Sequence, residues 1–372
     1  DDEESLEHPI DPLIVATYRN LMPYSVARST RAGAEAGGHD TACASGPLAL
    51  DEREPGLRRL DHQYQAILSA SGKTPIRGLR LGQRLGQGGQ GIVFLAECRG
   101  ADGFTNEHLA LKLFAPHRYP TLASYVKDMR RIARMASLVA AIDQGNVLHV
   151  ERFEVCSGIR VMIMKRVKGY DLRQLMNPEM LDRVKHRSPS RWTEITNVVA
   201  EPGPHHVKFK PGAAVAIIRC CLEALERLHS LGIVHGDVKP ENIMISPDGE
   251  VKLIDIGSAF EWKESHQPYF CTPRYAGLEV LERDECTPRS DLASVGYVLM
   301  ELLTGCPVFP EKKPAGPQET SMPQEASTGI KAPVDRELAN AKRGLPAQLD
   351  QLLKGHSPRL LQLCRRLIDP DP

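Results

Sequence analysis

The sequence predicts an α+β fold, in which a small antiparallel β-sheet with one main helix precedes a larger, mostly helical region. Three observations support this prediction. Short apolar runs separated by Gly-rich or polar turns fill residues 79–113, apolar residues recur at helical spacing in Ser124–Leu138, and the same spacing continues through Ala213–Leu231. A chain of 372 residues is long for one core and suits two lobes with extensions.

The sheet and the first helix follow from the chain in order. The predicted strands are Leu79–Leu85, Ile92–Glu97, Leu109–Leu113, Val147–Val155 and Gly158–Met164, with the helix Ser124–Leu138 after the third. Residues 1–77 are expected to form a partly disordered extension with one docking helix in Asp51–Ala70, where apolar residues share one face. The polar, Pro-containing stretches Asn177–Gly212 and Pro307–Pro346 are predicted to be loop insertions.

Composition excludes some classes of function and leaves others open. Lys plus Arg number 47, as do Asp plus Glu, so a formal net charge of zero gives no argument for a nucleic-acid partner. No apolar run reaches the roughly 20 residues of a membrane helix. The nine cysteines form no C-x-x-C pair, which argues against a zinc ribbon and favours reduced thiols. We therefore expect a cytoplasmic location by default, with secretion as the alternative, and the oligomeric state stays open.

The start of the sequence indicates a fragment or a processed form, because the chain begins with Asp1 rather than Met.

A glycine-rich segment lies between the first two predicted strands. Residues 85–93 fit the pattern G-x-G-x-x-G-x-V. Glycines let a backbone approach phosphates without a clashing Cβ, and exposed amides supply donors. A dinucleotide-binding turn shares this spacing but needs a helix directly after it, whereas Ile92–Glu97 continues as a strand. The segment favours a phosphate-binding hairpin, although a glycine-rich hairpin without a ligand matches the same pattern.

Lys112 lies in the middle of the apolar strand that follows this hairpin. Burying a lysine is costly unless its charge meets an anion. Its position after the glycine-rich hairpin favours a phosphate ligand over the alternative, a surface lysine on an edge strand.

Four polar residues lie between apolar strands further along the chain. Asp237, Lys239 and Asn242 follow the run Ile233–Val234, and Asp255 ends the strand after a Pro-Asp-Gly turn. Hairpin geometry folds Asp255 back towards Asn242. An acidic base, a cation and two oxygen ligands for Mg²⁺ are therefore expected to converge.

As an ordered set, these motifs resemble the eukaryotic protein kinase superfamily from about Leu79 to the C-terminus. The resemblance implies a two-lobed kinase domain at 78–372, with a small sheet lobe at 78–167 and a helical lobe at 168–372. It implies an ATP- and Mg²⁺-dependent enzyme that phosphorylates Ser or Thr hydroxyls of protein substrates. A weaker similarity is to the secreted rhoptry kinases of apicomplexan parasites.

The resemblance also implies a role for each matched residue. The nucleotide residues would be Leu85 at the start of the glycine-rich loop, Gly86, Gly88 and Gly91 over the phosphates, Val93 and Ala110 on the adenine, Met164 behind it, Lys165 and Val167 in the hinge, Asp171 at the ribose, and Lys112 on the α and β phosphates. The catalytic residues would be Asp237 as base and Lys239 at the moving phosphoryl group, with Asn242 and Asp255 as Mg²⁺ ligands.

Several positions depart from the pattern of the superfamily. Gly236 replaces the arginine that usually precedes the catalytic aspartate, and Asp128 is the best-aligned residue for the glutamate that usually pairs with the lysine of the small lobe. The resemblance places the usual arginine partner of Glu279 a few residues after Pro372, so the second lobe is expected to be truncated at its C-terminal end and Glu279 to lack that partner. Asp291 is expected to anchor the backbone of the catalytic loop, and Thr272 to lie beside Asp237.

Two alternatives to a Ser/Thr kinase remain open. The departures would suit a pseudokinase, which binds nucleotide or partners without turnover. The His-Gly-Asp sequence at 235–237 also occurs in small-molecule phosphotransferases with a kinase-like fold, although Lys239 and Thr272-Pro273 favour a protein kinase.

Overall fold

The computed structural model describes residues 54–69, 79–99, 105–187, 189–264, 271–283, 285–310 and 336–369. Its strands are β1 (Leu79–Gly88), β2 (Gly91–Arg99), β3 (Thr105–Phe114), β4 (Val150–Cys156), β5 (Ile159–Lys165), β6 (Tyr170–Asp171), β7 (Ala200–Pro202), β8 (Val207–Phe209), β9 (Ile233–Val234), β10 (Ile243–Ile245), β11 (Val251–Leu253) and β12 (Phe260–Glu261). Its α-helices are α1 (Pro55–Ser69), α2 (Leu122–Ala140), α3 (Leu172–Leu175), α4 (Pro178–Arg187), α5 (Pro189–Val198), α6 (Pro211–Ser230), α7 (Leu278–Arg283), α8 (Pro288–Thr304), α9 (Arg336–Leu352) and α10 (Pro358–Ile368).

The small lobe is a five-stranded antiparallel sheet in the order β1-β2-β3-β5-β4. Successive side chains of each strand point to opposite faces of the sheet. Both faces are covered, so β-branched and aliphatic side chains are buried on each. On β5, Val161 and Ile163 belong to one apolar cluster, whereas Met162 and Met164 belong to another. The sheet therefore packs against a helix on each side.

Helix α1 covers the outer face of this sheet. Its residues Tyr64 and Ile67 are buried in the same cluster as Val161 and Ile163. Glu54, just before the helix, accepts a hydrogen bond from the Leu122 N–H in the first turn of α2, at 3.0 Å. The predicted docking helix is confirmed over Pro55–Ser69, and the remainder of the predicted N-terminal extension lies outside the described residues.

Helix α2 covers the inner face of the sheet. Thr121 caps its N-terminus through a reciprocal pair of hydrogen bonds with Ser124, which satisfies two backbone donors that the first turn leaves open. Its buried residues Met129, Ile132 and Met135 pack in the cluster that contains Met162 and Met164. Lys112 also projects from the inner face. Its neighbours on β3, Leu111 and Leu113, are buried on the outer face, and adjacent residues of a strand point to opposite faces.

The large lobe is built on α6 and α8. Thirteen of the residues from Ser290 to Leu303 of α8 are buried. This helix therefore forms the centre of the lobe and is buried on most of its circumference. Short strands form a three-stranded sheet in the order β11-β10-β6 and a two-stranded sheet of β12 with β9. These strands hold the loop at 235–242 and the turn after β11 next to the small lobe. The α+β prediction is confirmed.

The predicted loop insertion at Asn177–Gly212 is wrong. These residues form α4, α5 and the β7-β8 hairpin, because their few apolar side chains are spaced to be buried together. Leu181, Val184, Ile195 and Phe209 are at most 1% exposed. The predicted insertion at Pro307–Pro346 is wrong over 336–346, which belongs to α9, and residues 311–335 lie outside the described residues. Within the described part of the chain, no helix is long and apolar enough to cross a membrane.

Candidate active site

Lys112 joins the two lobes at the centre of the molecule. It lies on β3, the central strand of the five, and its side chain is only 7% exposed. Its Nζ donates hydrogen bonds to Oδ1 of Asp255 at 2.6 Å and to Oε1 of Gln90 at 2.9 Å. The alternative of a surface lysine on an edge strand is therefore excluded, and the ammonium contacts a carboxylate in a largely desolvated position.

Asp255 follows β11 in a strained backbone conformation. Its φ of 63° and ψ of 80° lie in the left-handed region, which is unusual for a residue with a Cβ and is typical of functional sites. Burial acts to raise the pKa of Asp255, but the Lys112 ammonium and the Gly257 N–H outweigh it, so the pKa lies below its ordinary value. The side chain therefore stays an anion at neutral pH.

The loop after β9 brings Asn242 next to Asp237. A 3₁₀ turn over Pro240–Asn242 aims the Asn242 amide at Asp237, and Nδ2 donates to the backbone oxygen at 2.7 Å and to Oδ2 at 3.3 Å. The Ile254 N–H donates to the backbone oxygen of Asn242 at 2.8 Å. This bond ties the loop to the residue before Asp255, so the predicted approach of Asn242 and Asp255 follows from the pairing of β10 with β11.

The Asp237 carboxylate is surrounded by donors. Lys239 Nζ lies 2.7 Å from Oδ2. Thr272 donates to Oδ1 from its backbone N–H at 2.9 Å and from its hydroxyl at 2.8 Å, and the same hydroxyl accepts a hydrogen bond from Lys239 at 2.8 Å. Thr272 therefore lies beside Asp237, as predicted, and the three side chains form one closed network.

Asp291 anchors the backbone of this loop, which confirms the prediction. Its carboxylate is 1% exposed and accepts hydrogen bonds from the N–H groups of His235 and Gly236, each at 2.9 Å, and from His229 Nε2 at 2.8 Å. Gly236 has a φ of +76°, a conformation that residues with a Cβ rarely adopt. The buried carboxylate thus fixes the two peptides directly before Asp237.

The glycine-rich segment is the β1-β2 hairpin. Gly86 pairs with Val93, and Gly88 pairs with Gly91. A Cβ at Gly91 would lie 1.9 Å from the carbonyl oxygen of Leu113 on β3, so only glycine fits at this point of β2. No atom lies within 4 Å of a Cβ built at Gly86 or Gly88, which leaves open space beside the hairpin.

Gln90 was missed by the sequence analysis. Gln90 lies in the turn of the β1-β2 hairpin. Its side chain is uncharged, and its Oε1 accepts the hydrogen bond from Lys112. The same oxygen would lie 1.8 Å from a Cβ at Gly257, so Gln90 and Gly257 are in contact. The only sequence signal is the polar side chain between Gly89 and Gly91.

The predicted adenine and ribose residues lie on β2, which carries Val93, on β3, on β5 and on the connection that follows β5. Ala110 pairs with Met164 across β3 and β5, and β5 ends at Lys165. Val167 is half-buried in the connection, and Asp171 caps α3 by accepting the Gln174 N–H at 2.8 Å. Burial, helped by the charge of Glu241, raises the pKa of Asp171 to about 6.

Comparison with known proteins agrees with this geometry. A protein-family model described as the protein kinase domain matches residues 79–372. The chain belongs to the protein kinase family. It is 30% identical over 304 residues to the serine/threonine-protein kinase PknL of Mycobacterium tuberculosis, a match that covers 77% of this chain and 63% of PknL. It is 27% identical over 278 residues to the serine/threonine-protein kinase PknE of Mycobacterium bovis, covering 74% of this chain and 41% of PknE. The chain thus spans less than two thirds of either relative.

The kinase differs from the expected pattern at Asp128. Its carboxylate contacts neither Lys112 nor Asp255. Instead, Oδ2 accepts a hydrogen bond from the Tyr119 hydroxyl at 2.6 Å and Oδ1 accepts one from Arg131 Nε at 2.8 Å. Asp128 therefore does not take the place of the usual acidic partner of Lys112, and Arg131, three residues later on α2, bonds to the turn that follows Asp255.

Glu279, which is expected to lack its usual arginine partner, accepts a hydrogen bond from a serine. The Ser290 hydroxyl donates to its Oε1 at 2.5 Å. The buried ammonium of Lys342, on α9, contributes a further favourable charge nearby. The kinase therefore supports the segment after Thr272 from α8 and α9, which come later in the chain.

A buried charge cluster lies under the same segment. Glu301, 1% exposed, accepts hydrogen bonds from Arg173 Nη1 at 2.9 Å and from the Tyr275 hydroxyl at 2.6 Å. Arg173 Nε also donates to Glu241 at 2.9 Å. One guanidinium therefore bridges two carboxylates beside the loop at 235–242, and none of these three residues was predicted from the sequence.

Proposed function

We propose that this kinase transfers the γ-phosphate of ATP to Ser or Thr hydroxyls of protein substrates in a Mg²⁺-dependent reaction. The observation that carries the proposal is the 2.6 Å ion pair between Lys112 of the small lobe and Asp255 of the large lobe. It joins the group expected to bind phosphates to the group expected to bind the metal ion. The naming of PknL and PknE as serine/threonine-protein kinases supports the choice of acceptor.

The β1-β2 hairpin and β5 would hold the nucleotide. The open space beside Gly86 and Gly88 suits phosphates, since an added side chain there would point into it. The other proposed nucleotide contacts are Leu85, Gly91, Val93, Ala110, Met164, Lys165, Val167 and Asp171. Asp171 has one carboxylate oxygen engaged by the α3 N-terminus, so the other is available for a ribose hydroxyl.

The residues present fit a Mg²⁺ ion. Mg²⁺ prefers hard oxygen ligands and takes one or two carboxylates together with phosphate oxygens. Asp255 supplies an ionised carboxylate with a lowered pKa. Asn242 turns its Nδ2 towards Asp237, so its Oδ1 is left for a cation. When bound, the ion would neutralise charge on the β and γ phosphates.

Asp237 would act on the acceptor hydroxyl. The hydroxyl oxygen forms a bond to the γ-phosphorus while the bond between that phosphorus and the β–γ bridging oxygen breaks. The hydroxyl proton goes to the Asp237 carboxylate, and ADP leaves with the bridging oxygen. Lys239, 2.7 Å from Asp237, is positioned to stabilise charge on the transferred group, while Thr272 holds the carboxylate in place.

An assay of purified protein with Mg-ATP and a Ser/Thr peptide library tests the proposal. We expect phosphorylation by the wild type and its loss by roughly 10²–10⁴-fold in Asp237→Asn. Lys112→Met and Asp255→Ala should also be inactive. Full activity in both of these variants would refute the site assignment.

The pseudokinase alternative makes a different prediction. It expects no turnover by the wild type, together with a rise in melting temperature on adding nucleotide, because a ligand of the native state stabilises it. Labelled ATP offered with aminoglycoside or choline-like acceptors tests the small-molecule alternative in the same assay.

We also propose a cytoplasmic location, with a secreted effector as the alternative. The similarity to rhoptry kinases is the argument for secretion, and it stays a prediction from the sequence. Cell fractionation with an antibody to the chain distinguishes the two locations.

A further inference from the structure

Helix α2 contacts the chain after Asp255 through an arginine. Arg131 Nη2 donates a hydrogen bond to the carbonyl oxygen of Gly257 at 2.6 Å, and Nη1 donates to the carbonyl oxygen of Ala259. Both acceptors are backbone atoms, two residues apart, and they lie on either side of Ser258. One guanidinium thus bridges two peptides of the turn that begins at Asp255.

Arg131 is itself held in one orientation. Its Nε donates to Asp128 Oδ1 at 2.8 Å, and Nη2 lies 2.7 Å from the same oxygen. The Tyr119 hydroxyl fixes the other carboxylate oxygen at 2.6 Å. The Arg131 and Asp128 side chains are only 17% and 11% exposed, so their charges interact in a partly desolvated setting where such hydrogen bonds are strong.

The segment that Arg131 holds carries a strained residue. Asp255 adopts a left-handed backbone conformation, and a short 3₁₀ turn over Ile256–Ser258 follows it. Such strain costs roughly 1–3 kcal/mol and persists only where the surroundings fix the chain on several sides. On one side, Ile256 is buried in the core. On the other side, Arg131 binds the carbonyl groups of Gly257 and Ala259.

We propose that Arg131 is a positioning residue for Asp255, acting through the backbone of the segment that follows it. In this arrangement α2 does not orient Lys112. It orients the carboxylate that Lys112 contacts, by the path Tyr119–Asp128–Arg131–Gly257. The effect on Mg²⁺ binding rests on the proposed function, in which Asp255 is a Mg²⁺ ligand. The effect on the backbone after Asp255 rests only on the contacts of Arg131.

The test compares Arg131→Met, Arg131→Lys and Arg134→Met. Arg134 is a matched control on the same helix, one turn later. It pairs with the side chain of Glu261 and is half exposed, so its loss leaves the carbonyl groups of Gly257 and Ala259 bonded. Lysine at 131 keeps the charge but lacks the planar fork of the guanidinium, which binds Asp128 and both carbonyl groups at once.

Two readouts are measured on each full-length variant. The first is hydrogen exchange of peptides that cover residues 253–262, and the second is the Mg²⁺ concentration that gives half-maximal phosphorylation of a peptide. Arg131→Met should lose protection in these peptides and require roughly 10–100-fold more Mg²⁺, the usual effect of removing a residue that orients a metal ligand. Arg131→Lys should fall between, and Arg134→Met should match the wild type in Mg²⁺ requirement.

The readouts separate failure of this inference from failure of the proposed function. If Arg131→Met melts at a lower temperature but keeps wild-type exchange and Mg²⁺ requirement, Arg131 supports stability only and the inference is wrong. An equal effect of Arg134→Met on both readouts would also overturn it. If the wild type phosphorylates nothing, the proposed function fails, whereas the exchange comparison still decides whether Arg131 fixes the segment.

Discussion

Replacing Lys342 with Met should change how the stability of the kinase depends on pH. Lys342 is 3% exposed, and its Nζ donates to the carbonyl oxygens of Arg274 at 3.0 Å and Ala276 at 2.8 Å. The same atom lies 4.0 Å and 4.3 Å from the ring centroids of Tyr297 and Phe309. Methionine has a similar length and no charge, so the substitution removes the titrating group while filling the site.

The sign of the effect follows from the pKa. Burial, with a smaller contribution from Arg274, lowers the pKa of Lys342 from 10.5 to about 7, against the opposing influence of Cys271 and Glu279. Between pH 7 and pH 10.5 the unfolded chain therefore binds more protons at this residue than the folded chain does. The free energy of unfolding rises with pH in that window, by up to about 1.4 kcal/mol per pH unit.

The magnitude between pH 7 and pH 9 is about 2 kcal/mol, since half of the Lys342 side chains still carry a proton at the lower pH. Urea unfolding of the wild type and of Lys342→Met at both pH values measures it. We expect the stability of the wild type relative to the variant to rise by that amount. The exposed Lys354 gives a control, because Lys354→Met should follow the wild type at both pH values.

Parallel pH profiles for the wild type and Lys342→Met would refute the reasoning. They would mean that the two carbonyl groups and the two rings keep Lys342 protonated at pH 9, as cation–π contacts and hydrogen bonds to the charged form tend to do. Any constant offset between the two parallel profiles would then measure the change in packing.

Three further predictions concern stability. Tyr64→Ala should lower the free energy of unfolding by roughly 3–5 kcal/mol, because it opens a cavity between α1 and the sheet, and chemical denaturation measures the loss. Arg173→Met should lower the free energy of unfolding by roughly 3–5 kcal/mol, because it removes the hydrogen-bonded guanidinium of the buried Glu301 and leaves the more distant Arg274 and His206. The additional change Glu301→Leu should restore much of that loss, and an additive double variant would contradict this account. Asp171→Asn should abolish a fall in stability of about 2 kcal/mol from pH 4 to pH 6, since the pKa of Asp171 is raised from 3.8 to about 6 and the folded chain binds more protons in that window; equal pH slopes for both proteins would contradict the assignment.

The placement of the proposed catalytic residues of the large lobe could be predicted from the sequence because their geometry is local. Asn242 and Asp255 border two strands joined by a Pro-Asp-Gly turn, so pairing of β10 with β11 brings them together. Asp237 and Lys239 lie in the same loop, only a few residues before Asn242. The spacing that determines the pairing of two strands in a hairpin also determines which residues lie next to each other at the ends of those strands, and this placement depends little on the rest of the fold.

Interactions between distant elements could not be predicted in this way. Arg131 meets Gly257 and Ala259 across more than 120 residues of sequence, and nothing near Arg131 in the chain distinguishes it from Arg130 or Arg134. The helical region at 177–210 was missed for a different reason. Its high polar content reflects exposed helix faces, whereas a few buried residues such as Val184 and Ile195 determine the structure.

The different role of α2 has a consequence for how the site is held together. Among the described residues, the carboxylate and amide that contact Lys112 belong to Asp255 and Gln90, and neither lies on α2. Among the hydrogen bonds of the described residues, those that connect α2 with Asp255 run through Arg131 and the turn that follows Asp255. Movement of a helix that pairs directly with the lysine would act on phosphate binding first. Here the same movement acts first on Asp255, so loosening α2 should raise the Mg²⁺ requirement before it weakens the contacts that Lys112 makes with phosphates.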